Sequence, residues 1–268
     1  GAGLGVGVVA ALAFARKLMM APVAVIGQAV ATAALPSLAS LHASGRSGEL
    51  DERLLSTLRI TLALAMVAAG ALAALATPLV EIVYQRGAFG AADTGRVAPL
   101  LALMGWAVPG WVVQQVAVRG FFARGEMWRP MGLGTLLALA SIPLYMALGE
   151  RQGAQGLVLA GVLAINTNAL LTLAWARLRF GGPHLGLLLS TGLRSGVAAA
   201  VAALAAAGVQ GIIAGSVWAD AVLAGAAFAG VAMAAGWFVG DDVMRSALRA
   251  PWLRWQSWKR GGGAHHET

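Results

Sequence analysis

Two adjacent cations, Arg16 and Lys17, stand inside an apolar run that extends from Gly1 to about Leu41, and the next ionisable residue is His42. A cation at membrane depth costs ~3 kcal/mol by insertion scales and more by simulation, so such residues usually face a bundle interior or a water-filled cavity and mark an ion or substrate path. Cations in that setting suit an anionic ligand such as a phosphate. The structural alternative is snorkelling of both side chains to the outer interface near the start of a span. Neighbouring helical residues point about 100° apart, so the two cannot face one cavity equally well. Lys17 is the stronger candidate of the pair.

The remaining polar residues within apolar segments are few. Gln28 and Thr32 are four apart on one helix face. Gln114 and Gln115 lie mid-segment, as do Asn166 and Asn168. Interhelical hydrogen bonding is their default use; Gln28 and Asn168 join Lys17 and Arg16 as candidate substrate contacts. Glu81 reads as an interface partner of Arg86. No paired carboxylates lie within a segment, and no Ser/His/Asp set or phosphate loop is present, so the sequence does not read as an enzyme. The glycine-rich start, Gly1 to Gly7, has no preceding strand to make it a dinucleotide loop. With no cysteine, disulfides and thiol chemistry are excluded, and no metal or cofactor is expected.

These residues are carried by a chain whose composition is that of a membrane protein. Of its 268 residues 59% are hydrophobic and 11% charged, with a mean hydropathy of +0.77; soluble domains run near ~25% charged. Seven apolar segments, roughly 4–41, 54–84, 96–120, 130–149, 154–178, 186–213 and 217–239, are each long enough to cross a hydrocarbon core of ~30 Å. None alternates with period two, so the expectation is an all-α polytopic bundle of about seven transmembrane helices. The first segment is too long for one straight span: it is one helix bent at Pro22, or a short entry piece followed by a span. Pro109, between Gly105 and Gly110, predicts a second kink and Pro143 a third. The connections are short polar turns. The start at Gly1, with neither methionine nor a basic leader, reads as the later part of a longer protein.

Charge sets the orientation. Of nineteen Lys and Arg, fourteen fall on the side that carries Arg46, Arg119, Arg124, Arg179 and the basic tail, and five (Arg16, Lys17, Arg86, Arg96, Arg151) on the other. The rich side is cytoplasmic by the positive-inside rule, which puts the carboxyl end inside. The net charge of +8 is therefore a topology signal, and nucleic acid is not an expected partner. The tail from Asp241 to Arg260 spaces Trp252, Trp255 and Trp258 among cations, as suits a helix lying on anionic membrane lipid.

Four stretches, in order, resemble motifs of the MurJ/MviN family. They are Ala15 to Pro22 with Gly27 and Leu35-Pro36-Ser37-Leu38; Leu79 to Phe89 with Asp93-Thr94; Arg119 to Pro130, where Glu126 takes the place of a family aspartate; and Gly156-Leu157 followed by Asn168 to Leu171. The resemblance implies the second half of a fourteen-helix exporter fold in the bacterial cytoplasmic (inner) membrane. It implies a transporter of lipid II, the undecaprenyl-pyrophosphate-linked peptidoglycan precursor, working by alternating access without a cofactor and partnered by an amino-terminal half. Lys17 falls at the position of a family arginine and Arg16 at that of a family aspartate, which keeps a cationic site but removes a bidentate fork. The implied organisation is a transport bundle over 1–180, two further helices over 181–240 offering a groove for the lipid tail, and a cytoplasmic amphipathic tail over 241–268. The alternatives are a flippase for another undecaprenyl-linked oligosaccharide and a non-transporting scaffold of cell-wall synthesis.

Overall fold

The computed structural model describes residues 6–210 and 217–238, which form helices and turns with no strand among them. The basic tail lies outside the described residues. Helix α1 (Val6–Pro22), a π-helical stretch (Val23–Gln28) and α2 (Ala29–Ala43) run on as one helix. Pro22 has no N–H to return to the carbonyl four residues back, and its ring crowds that carbonyl. The hydrogen-bond ladder slips into a π register directly after it, as strained helices do. Of the two alternatives for this segment, the continuous helix disturbed at Pro22 is the one adopted. Gly27 in the π stretch allows a close approach: a Cβ there would lie 3.1 Å from the Gln115 side chain.

Two of the expected spans are broken by proline, and in each a side chain from elsewhere caps a carbonyl at the break. Helix α3 (Ser47–Ala74) starts earlier than its apolar segment, so the polar stretch before residue 54 is helical; Glu49 in its first turn suits the positive end of the helix dipole and pairs with Arg46 at 2.5 Å. The helix stops at Leu75 and resumes as α4 (Ala76–Tyr84) because Pro78 cannot bond back to Ala74. The freed Ala74 carbonyl accepts the Gln210 amide at 3.2 Å. Helices α5 (Ala91–Gly105) and α6 (Val108–Phe122) meet at 41°, where the Pro109 kink was expected. There the Trp106 carbonyl accepts Asn166 Nδ2 at 3.0 Å. Such substitutes are needed where no water reaches the backbone.

Helix α7 (Trp128–Phe180) has 53 residues, and its single non-helical residue is Gly153, at φ 58° and ψ −130°. The chain reverses there. A Cβ on Gly149 would meet Leu157 at 2.8 Å, one on Gly161 the Tyr145 hydroxyl at 3.0 Å, and one on Gly134 Asn168 Nδ2 at 3.9 Å. Those pairs step outward from the turn in antiparallel register, so α7 is a hairpin with arms 128–152 and 154–180. The helix continues through Pro143 with helical dihedrals, so the expected third kink is not where the backbone departs; that departure is at Gly153. Five helices are long and apolar enough to cross a membrane, or six with the bent pair as one span. Counting both arms of α7 recovers the seven segments read from the sequence.

Helix α3 is the central post. It packs against α2, α5 and α6, and along α8 (Leu185–Gln210). Small residues permit the last contact: a Cβ on Gly70 would lie 2.9 Å from that of Ala199, and Ser195, Ala198 and Ala202 are buried in the same seam. Helix α9 (Val217–Phe238) packs on α8 and reaches α4. Large apolar side chains face outward, Trp128 at 81% and Leu178 at 87% exposed among them. In water such a surface would be an association liability; in hydrocarbon it is the ordinary outer face of a bundle.

Candidate functional site: a cavity between the first helix and the hairpin

Helix α1 and the hairpin do not pack together. Between them, floored by the α5–α6 break, lies a cavity of about 590 Å³. Arg16 lines it from α1, Trp111 from α6, and Ser141, Tyr145 and Asn168 from the two arms. Among the described residues no carboxylate pairs with Arg16. Asn168 lines the cavity with an amide whose Oδ1 is buried without a hydrogen-bond partner among the described residues. The rest of the wall is apolar, Met19 and Leu157 included. A cation and a polar row in an apolar wall can hold an anion with an attached polar group, because the low dielectric strengthens each pairing.

The four sequence candidates part company here. Arg16 and Asn168 line the cavity. Lys17 turns the other way, as adjacent helical positions must. Its Nζ lies 5.8 Å from the centre of the Phe14 ring, within cation–π range. Phe14 in turn packs on Tyr84 at 4.8 Å and Phe89 at 5.4 Å, and the Tyr84 hydroxyl donates to the Phe14 carbonyl at 3.3 Å. Lys17 is exposed on that side of α1, and Gln28 is exposed at the end of the π stretch, outside the cavity wall. Asn166, by contrast, spends its amide on the Trp106 and Val162 carbonyls and is structural. Sequence reasoning passed over Trp111, Ser141 and Tyr145 as site residues. The available signal was the four-residue spacing of Ser141 and Tyr145 on an otherwise apolar helix.

A second polar group lies at the end of the hairpin away from the Gly153 turn, where the sequence motif Arg119 to Pro130 folds. Arg124 Nη2 pairs with Asp51 at 2.5 Å, with side chains only 7% and 21% exposed. Its Nη1 donates to the Gly120 carbonyl at 3.0 Å, and its guanidinium lies 4.2 Å over the Phe180 ring. Glu126 accepts Arg179 at 3.3 Å and sits 3.1 Å from Arg129 Nε, an ion pair without hydrogen-bond alignment. This hub ties the start of α3, the end of α6 and both open ends of the hairpin.

The chain matches the family model described as "Lipid II flippase MurJ" over residues 2–229. It is 33% identical over 172 residues to "Probable lipid II flippase MurJ" of Rhizobium meliloti (strain 1021), covering 63% of this chain and 32% of that protein. It is 34% identical over 168 residues to the protein of the same description from Rhizobium tropici, covering 61% and 31%. With "Lipid II flippase MurJ" of Burkholderia cenocepacia it shares 35% identity over 136 residues, 50% of this chain and 26% of that one. Its fold matches the solved structure "Lipid II flippase MurJ, inward closed conformation" with a TM-score of 0.71 at 18% identity, covering 92% of this chain and 48% of that one. The matches thus span about a third of the length of the curated relatives and about half of the solved chain.

Proposed function

The chain belongs to the MurJ family, and from that membership we propose that it forms the carboxyl-terminal lobe of a transporter that moves lipid II from the cytoplasmic to the periplasmic leaflet. The observation that carries the proposal is Arg16, a guanidinium without a carboxylate partner in the wall of a cavity among membrane-crossing helices. Arg16 is exposed to the open space of the cavity; a cation without a partner at membrane depth is expensive, and an incoming pyrophosphate offsets that cost with charge-assisted hydrogen bonds. Lys17, on the adjacent face, is the second cation of the site and faces the partner lobe. Gln28 lies about three helical turns further along the same exposed edge and serves the same ligand, as Asn168 does within the cavity. The partner in this reading is an amino-terminal half, against which the lobe rocks so that the site opens to each side in turn. The lipid tail stays in the membrane along α8 and α9, whose outer faces carry exposed Leu189, Leu193, Leu204 and Val222. The fourteen-to-five distribution of cations supports a cytoplasmic carboxyl end.

The test is complementation. The full-length protein is expressed in cells depleted of their own lipid II flippase, with Arg16→Ala and Lys17→Ala beside it at equal membrane levels. The parent restores growth, and each variant lowers lipid II translocation by at least about tenfold, since a charge-assisted bond is worth ~1.5–3 kcal/mol. A well-expressed parent that fails to rescue removes lipid II as the cargo, and rescue by both variants removes the cationic site.

A further inference from the structure

We propose that a groove between the arms of the hairpin, at their hub end, holds an anionic phospholipid of the surrounding membrane, with its phosphate on Arg129 and one acyl chain along Gly132, Leu133 and Leu136. The groove has a volume of about 340 Å³, and Trp128 and Trp175 flank Arg129 in it. It is a different place from the cavity: on the first arm the cavity takes Gly134, Leu137, Ala138 and Ser141, another face of the helix. The polar groups of the groove are all donors. Arg129 pairs with Glu126 at 3.1 Å but forms no hydrogen bond among the described residues, and its side chain is 41% exposed. Neither indole N–H donates to a described residue. Arginine and tryptophan side chains offer donors and no acceptor, and an ionised phosphodiester offers the acceptors they lack. Charge points the same way, because Arg129 and Arg179 share the single carboxylate of Glu126 and leave a net positive group at the mouth of the groove.

The order of groups along the arm is the order of groups along a phospholipid. Arg129, Gly132, Leu133 and Leu136 recur three or four residues apart, so they form one stripe. From Arg129 to Leu136 is seven residues, about 10 Å at ~1.5 Å each. The stripe begins with a cation between indoles, the pairing that suits the headgroup level, and ends on Leu136, which is 64% exposed. The arm itself starts at Trp128, so the positive end of its dipole adds to the attraction for a phosphate. Gly132 keeps the path of the chain open: a Cβ there would meet nothing within 4 Å. The phosphate of a zwitterionic lipid carries a choline cation beside it, which Arg129 and Arg179 oppose, so the groove selects net negative headgroups.

The experiment melts the full-length protein in nanodiscs of phosphatidylcholine into which phosphatidylglycerol with the same acyl chains is titrated. A lipid that binds the folded state raises Tm as its share increases. The parent shows that rise, and Arg129→Ala moves its midpoint to about tenfold more phosphatidylglycerol. Gly132→Leu keeps every charge and fills the path of the chain; it melts in pure phosphatidylcholine no lower than the parent and loses most of the rise. Arg53→Ala, an exposed cation outside the groove, keeps the rise. Should Arg129→Ala fail to fold, Gly132→Leu carries the test. No rise in the parent, a rise retained by Gly132→Leu, or a rise lost equally in Arg53→Ala overturns the site. A parallel titration with undecaprenyl pyrophosphate is expected to give the same affinity in parent and Gly132→Leu; a loss there would make the groove a prenyl-lipid site and overturn the phospholipid as its occupant.

Discussion

The hub and the cavity wall are both polar regions in a chain with little polarity, and they treat their charges in opposite ways. At the hub Arg124 has a carboxylate, a carbonyl and an aromatic face, and Glu126 has two arginines. In the cavity Arg16 has no carboxylate and the Asn168 Oδ1 no donor. Paired charges hold helices in place; unpaired ones raise the energy of the empty state and lower that of a filled one. On the proposed reading the difference puts binding in the cavity and rigidity at the hub, so the hairpin is held at its 128 and 180 ends while its walls near α1 stay unpacked.

The largest expected effect breaks the fixed region. Asp51→Ala leaves the Arg124 guanidinium buried without its carboxylate, and removing one partner of a buried pair costs ~3–5 kcal/mol. Thermal unfolding of the full-length protein shows a large fall in Tm, with lipid binding per folded molecule unchanged. A fall in binding at constant stability would make the hub part of the site and erase the contrast. The next effect is at the hairpin turn. Gly153→Ala forces a side chain into φ 58°, ψ −130°, with open space around it, so its cost is backbone strain alone, ~1–3 kcal/mol. A loss larger than that of Asp51→Ala, measured in the same melts, would mean that the turn and not the hub fixes the hairpin.

How far this contrast is legible in the sequence depends on the range of the cause. Pro22, Pro109 and the Gly149 to Gln155 turn disturb their own neighbourhood, and all three sit where the segments predict. The break at Leu75 follows from Pro78 by the same rule, but the group that caps the freed carbonyl, Gln210, comes from 136 residues on. Pro143 carries the same local constraint and the dihedrals remain helical there. The cation pair shows the limit most clearly. That Arg16 and Lys17 point apart follows from helical geometry. Which of them faces the cavity depends on where Phe14, Tyr84 and the hairpin sit, and the structure puts Arg16 there although Lys17 is the stronger reading from sequence. Trp111, Ser141 and Tyr145 resemble core residues until the reversal at Gly153 sets both arms opposite α6. The Asp51–Arg124 pair, 73 residues apart, has no local pattern to announce it.

The smallest effect tests whether the Phe14 face of α1 belongs with the fixed region or with the cavity. Tyr84→Phe removes the hydroxyl that donates to the Phe14 carbonyl at 3.3 Å and keeps the ring packed on Phe14 and Phe89. A hydrogen bond of that length contributes ~0.5–1 kcal/mol net, and the three rings supply the larger part of the contact. Stability in melts should therefore drop by no more than about 1 kcal/mol. Because Lys17 also stands over Phe14, loosening this clasp changes the position of the second cation, not the first. Affinity for undecaprenyl pyrophosphate should then fall in Tyr84→Phe by less than in Arg16→Ala, and the fall should vanish in a Lys17→Ala background. A Tyr84→Phe effect that persists without Lys17 would instead make the clasp a support for Arg16, and would join the Phe14 face of α1 to the cavity wall.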